Sequence, residues 1–162
     1  VQYKSTALSA LKIGVLIAKK NGRNLSKFIK DLKSANSSIK IRLMGHSLGA
    51  HVILSTIKLL AKNPKNNGII ESVHLFGGSI PANSLGSKTF GNQFQRIVNK
   101  KILNYFSPFD DVLKAAHNEK WVESPIGYKG ATGKTCGKYS QKMVHPQNHR
   151  FVSYAKTMKS FP

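Results

Sequence analysis

Ser47 stands at the centre of Gly45-His46-Ser47-Leu48-Gly49, a G-x-S-x-G turn of the nucleophile-elbow type. A serine hydroxyl is a poor nucleophile until a base takes its proton. That base is usually a histidine, itself oriented and charge-stabilised by a carboxylate. The chain offers six carboxylates, Asp31, Glu71, Asp110, Asp111, Glu119 and Glu123, and six histidines. Asp110 is the first choice for the acid, because it follows a predicted strand end and opens a helix. Asp111 is the alternate, in which case Asp110 would act as the helix cap. His149 is the first choice for the base, in a loop just before the last helix, with His145 as the alternate. The Leu48 N–H, next after the serine, is the expected first oxyanion donor. His46 lies inside the turn and reads as structural. His51, His74 and His117 fall on helix or strand faces and read as satisfied histidines.

These residues need elements to carry them. Residues 39–44 read as a strand, with Ile41 and Leu43 as β-formers. Gly45 and Gly49 lack a Cβ and would let strand and helix approach around the serine. The helix predicted over 48–63 points its free N–H groups and the positive end of its dipole at the site. Strands follow at 69–76, ended by Gly77-Gly78-Ser79, and at 101–106. Residues 88–99 read as loosely helical and 112–117 as a short helix. Residues 119–140 are glycine-rich and basic, with a short strand near Trp121 or Ile126. A loop over 141–148 leads to a terminal helix over 150–159. Upstream, Ala7, Leu8, Leu11, Val15 and Ala18 form a helical stripe over 5–20, and Asn21-Gly22 predicts a stop. A second helix over 24–35 would pack through Leu25, Phe28, Ile29 and Leu32. The β-α-β-α-β-α alternation implies an α/β fold, a parallel sheet with right-handed crossovers and helices on both faces. In such sheets the site lies at the carboxyl ends of the strands, where Ser47, Gly77 and Asp110 all fall. The length fits one domain, a helical lead-in over 1–36 and a catalytic core over 37–162.

Composition narrows the chemistry. One cysteine, Cys136, excludes an internal disulfide. No ligand cluster with metal spacing appears, and no metal or cofactor is expected. Lysine and arginine number 26 against 6 acids, a formal charge of +20. The lysines are spread along the chain and no nucleic-acid motif accompanies them, so nucleic acid is not the expected partner. A solvated basic surface, or one suited to an anionic membrane, remains. The apolar run over 7–18 is too short to span a bilayer and lacks a signal-peptide cleavage pattern, so a cytoplasmic or peripheral-membrane location is expected. The chain opens on Val1 directly into helical sequence, as a trimmed chain would.

Gly45-His46-Ser47-Leu48-Gly49-Ala50 resembles a lipase or esterase elbow of the α/β-hydrolases. The run from Asn67-Gly68-Ile69-Ile70 to Leu75-Phe76-Gly77-Gly78 is similar to the strand after the elbow in the lipase-like transmembrane and coiled-coil domain-containing proteins. Asn104-Tyr105-Phe106 with Asp110-Asp111-Val112-Leu113, and His149 with Tyr154-Ala155-Lys156, are similar to that family's acid and histidine segments. The resemblance runs from about Ser38 to the C-terminus. It implies an α/β-hydrolase-like sheet and the order serine, acid, histidine. The second oxyanion donor normally comes from a loop after an earlier strand; if the domain is truncated, that strand and loop lie before Val1.

Together these readings predict a serine hydrolase of ester bonds, with an ester or lipid as substrate and Ser47, Asp110 and His149 as its catalytic residues. The alternative is a catalytically weak or inactive hydrolase fold that serves as a membrane-surface or protein-binding module. Oligomeric state is not legible.

Overall fold

Four parallel strands carry the molecule, in spatial order β1-β2-β3-β4. They are β1 (Arg42–His46), β2 (Ile70–Phe76), β3 (Val98–Phe106) and β4 (Tyr139–Met143). Helix α1 (Gln2–Ala35) precedes them, and α2 (Gly49–Leu60) and α3 (Gly91–Ile97) form the first two crossovers. The third crossover holds α4 (Asp111–Asn118) and α5 (Ile126–Lys129), and α6 (Phe151–Ala155) closes the chain. This is an α/β fold. The computed structural model describes residues 2–121, 123–160 and 162, and of these the side chains other than those at 2–5 and 7. Val1 and the side chain of Ala7, both used in the sequence reading, lie outside the described residues.

The strands run parallel, joined by helical crossovers. In the order β1-β2-β3-β4 right-handed crossovers put those helices on one face, while α6 covers only part of the other and leaves Arg42 and Met44 of β1 exposed. On one face Val73 and Leu75 of β2 pack in a single apolar cluster with Ile53 and Ile57 of α2 and Phe94 and Ile97 of α3. On the other, Phe76 and Tyr105 pack with Val144 and with Tyr154 of α6. Parallel register puts His46, Phe76, Tyr105 and Lys142 in one row at the carboxyl edge. The turns after all four strands open at that edge.

The predicted break at Asn21-Gly22 does not occur. Helix α1 runs without interruption through it, and Gly22 is buried against α2. A Cβ there would lie 2.5 Å from the Cβ of Ser55. The glycine is used for close approach of two helices, not as a cap. Thr56 Oγ donates to the Gly22 carbonyl (3.2 Å), and Ser55 Oγ donates to that of Lys19 (3.1 Å). Phe28, assigned to the packing face, is instead largely exposed; Ala18, Gly22, Ser26 and Ile29 are the buried positions among the described side chains of α1.

Other boundaries move. Strand β3 starts at Val98, inside the predicted 88–99 helix, which itself begins at Gly91. The elbow strand starts at Arg42 and reaches His46. The region near Ile126 forms the one-turn helix α5 and not a strand. The predicted 141–148 loop begins inside β4, a polar edge strand whose side chains after Tyr139 are all exposed. Its sequence carries no alternating apolar signal because neither face is buried. The last helix ends at Ala155, short of the predicted 159.

Candidate active site

Ser47 follows β1 with φ of +52°. A non-glycine residue in this region is strained by about 1–2 kcal/mol, and the surroundings hold it there. The Ser47 N–H donates to the Phe76 carbonyl (3.2 Å), and the Ser47 carbonyl accepts from Ala50 (3.2 Å) and Ser79 (3.1 Å). Gly45 is required by the turn: a Cβ would come within 2.8 Å of Ile53 Cδ1 and 3.0 Å of the Gly49 backbone. Gly49 is not required in the same way, since a Cβ on it meets nothing within 4 Å. The close approach expected of both glycines belongs to Gly45. The Leu48 N–H has no protein acceptor among the described residues, and it lies where α2 presents the positive end of its dipole.

The structure brings Ser47, Asp110 and His149 together. Ser47 Oγ–H donates to His149 Nε2 at 2.8 Å, and His149 Nδ1–H donates to Asp110 Oδ2 at 2.7 Å. The carboxylate is fully buried and the imidazole is mostly so. Asp110 also caps α4, accepting from the Leu113 N–H at its other oxygen (3.0 Å). The sequence left open whether Asp110 capped the helix or faced the histidine. Its two oxygens do both, and Asp111 is an exposed residue of the first turn of α4. His145 is exposed and its ring stacks on Phe109 at 5.0 Å, away from Ser47. Burial pushes the Asp110 carboxyl up. The hydrogen bonds from His149, Tyr154 and Leu113, with the charge of His149, outweigh it and hold the group below its ordinary value.

Three positioning residues were not assigned from sequence. Tyr154, buried in α6, donates its hydroxyl to Asp110 Oδ2 at 2.6 Å. Its ring fills the space over Gly77, where φ is +51° and a Cβ would sit 2.7 Å from the hydroxyl. His46 Nε2–H donates to the His149 carbonyl at 2.6 Å, which fixes the loop that carries the imidazole. Burial lowers the His46 pKa, and the nearby charge of His149 lowers it further. Asn148 Oδ1 accepts from the Arg150 N–H (3.0 Å) and Ser153 Oγ (2.8 Å), closing the same loop onto α6. In the sequence Tyr154 is named only within the segment similar to the family's histidine segment. The partner of that tyrosine is not legible there.

Tyr154→Phe keeps the ring over Gly77 and removes only the hydroxyl. It is expected to cost about 1.5–3 kcal/mol, the range for a hydrogen bond to a charged group, and to raise the Asp110 pKa. Denaturant unfolding at neutral and at acid pH checks both.

The remaining histidines stand apart from this line. His51 Nε2–H donates to the Ser79 carbonyl (3.3 Å), and His117 packs beside Tyr128. His74 is buried next to Ser72 (3.1 Å), and burial with nearby Lys101 and Arg42 lowers its pKa to about 4. Among the described residues no three acidic, histidine or cysteine side chains are grouped as metal ligands, and no helix is long and apolar enough to cross a membrane. Cys136 is a free, buried thiol.

No curated protein and no solved structure matches the chain. A family model does match, over residues 6–126, which include Ser47 and Asp110 and stop short of His149. By that match over most of its length, the chain belongs to the family described as a protein of unknown function (DUF726).

Proposed function

We propose that the chain is a serine hydrolase of ester bonds, of the lipase and esterase type, built on an α/β-hydrolase-like sheet. The observation that carries the reading is the unbroken line Ser47 Oγ, His149 imidazole, Asp110 carboxylate, with the serine in a strained turn at a helix N-terminus. Ser47 Oγ attacks the acyl carbon as His149 Nε2 takes its proton. Negative charge on the former carbonyl oxygen meets the Leu48 N–H and the dipole of α2. His149 then returns the proton to the departing alcohol. A water molecule, deprotonated by the same imidazole, hydrolyses the acyl-enzyme. Asp110 holds Nδ1–H, so Nε2 faces the serine as an acceptor, and it stabilises the imidazolium that forms.

An apolar groove favours a fatty ester. It holds about 500 Å³ and is lined by Leu11, Val15 and Leu16 of α1 with His51, Pro81 and Trp121. It lies close to the serine, because Gly14 of α1 abuts the Leu48 side chain and His51 is in the first turn of α2. Ligand clefts are typically apolar with a few fixed polar groups. Rapid mixing with 4-nitrophenyl butyrate tests the reading. A burst of nitrophenolate equal to the enzyme concentration, with a butyryl group on the peptide bearing Ser47, is expected. No burst and no acylated peptide would overturn it.

A further inference from the structure

Ten large apolar side chains among the described residues are strongly exposed, and their placement is uneven. Ile13, Leu16 and Ile17 lie on α1 within one turn of Gly14, the residue that abuts Leu48. Phe109 and Val112 flank Asp110, and Phe151 and Val152 follow His149 after Arg150. Met143 ends β4 at the same edge. Only Phe28 and Met44 lie elsewhere. Scattered single exposed apolar residues need no explanation, but a grouped set marks a surface that meets something.

The chemistry of the surrounding surface says what that is. Helix α1 has 34 residues against 12 in α2, about 50 Å against about 18 Å. It meets Ser55 at Gly22 and Leu48 at Gly14, so its first turns overhang the carboxyl edge. Ile13, Leu16, Ile17, Lys20 and Arg23 recur at three- and four-residue steps and share one face. The groove between α1 and α2, walled by Leu16, Leu54 and Leu59, is edged by five cations and no carboxylate. Apolar residues followed by cations on one helix face, beside a groove edged only by cations, are the signature of a helix lying in an anionic lipid interface.

We infer that this edge docks on an anionic membrane surface, with Leu16 and Ile17 entering the headgroup boundary and Lys20 and Arg23 contacting lipid phosphates. Docking sets the mouth of the Ser47 site against the bilayer. It requires no turnover, so loss of the hydrolase reading leaves it standing, and hydrolysis of soluble esters stands without it.

Flotation of the full chain with vesicles tests the inference. Vesicles of phosphatidylcholine with phosphatidylserine are expected to bind it at least tenfold more tightly than phosphatidylcholine alone. L16D/I17D, and separately K20E/R23E, are expected to weaken that binding at least tenfold. F28D, on the same helix and with Phe28 equally exposed but about 16 Å along the axis from Ile17, beyond the ~8 Å screening length, is expected to leave binding within about twofold of the parent. Circular dichroism checks that the variants fold. Absence of binding, equal losses for F28D and L16D/I17D, or an L16D/I17D that binds as the parent does would each overturn it. So would a lipid-free dimer that L16D/I17D disperses, since the edge would then belong to a second copy.

Discussion

Ser47→Gly is expected to make the protein more stable by about 1 kcal/mol and to abolish ester hydrolysis. The two effects have one cause. The serine is held at φ +52° by three backbone hydrogen bonds of the turn, a conformation that costs a side-chain-bearing residue about 1–2 kcal/mol and glycine nothing. Glycine gives back part of the gain through its larger unfolded-state entropy, about 0.5–1 kcal/mol. The hydrogen bond to His149 is lost, but that imidazole is partly open to water, which replaces the hydroxyl. For a domain of this length a gain of 1 kcal/mol raises Tm by about 2–4 °C. Activity should fall by about 10⁴ or more, because no nucleophile remains and only binding and the oxyanion donor are left. Thermal unfolding and ester turnover on the same preparation measure both. A Ser47→Gly protein less stable than the parent would show that the turn stores no strain.

Asp110→Asn is expected to be the most damaging isosteric change to both fold and activity. The carboxylate has two jobs at two oxygens. Oδ1 accepts from the Leu113 N–H, and Oδ2 accepts from both His149 Nδ1–H and the Tyr154 hydroxyl. An amide has one acceptor oxygen. Turned one way it keeps the helix cap and sets an NH2 against two donors; turned the other way it loses the cap. Either arrangement leaves buried donors unmatched, at about 2–4 kcal/mol. The histidine then changes tautomer, Nε2 becomes a donor toward Ser47, and kcat should fall by about 10⁴.

The pH dependence has a definite sign. Because the native Asp110 carboxyl is held below its ordinary value, the folded state binds fewer protons than the unfolded state between the two values. The contribution of Asp110 to stability is therefore complete above the ordinary carboxylate range. It is lost as pH falls through that range toward the depressed pKa. Asp110→Asn should flatten this acid-side loss, and denaturant midpoints measured against pH report it.

The elbow was legible because its requirements are local: strand, tight turn and helix each leave a mark within a few residues. Asp110 was legible for a related reason, since a cap residue announces itself by opening a helix. What sequence could not supply were partners made by distant chain. Tyr154 reaches Asp110 across 44 positions and His46 reaches the His149 carbonyl across 103, and neither pairing has a periodic signal. Gly22 misled because a glycine after a helical run satisfies two physical roles, a cap and a close contact. Only the neighbouring helix distinguishes them. Strand β4 escaped notice because an edge strand with two open faces is held by its ladder to β3 alone.

Covalent labelling by a fluorophosphonate tests the central claim most directly, since such a probe phosphonylates a serine only where a neighbouring base has activated it. The full chain should acquire one adduct, on the peptide carrying Ser47, and His149→Ala should slow its formation by at least about 10³. A chain that stays unlabelled, or labels at another serine with His149 making no difference, would contradict the account.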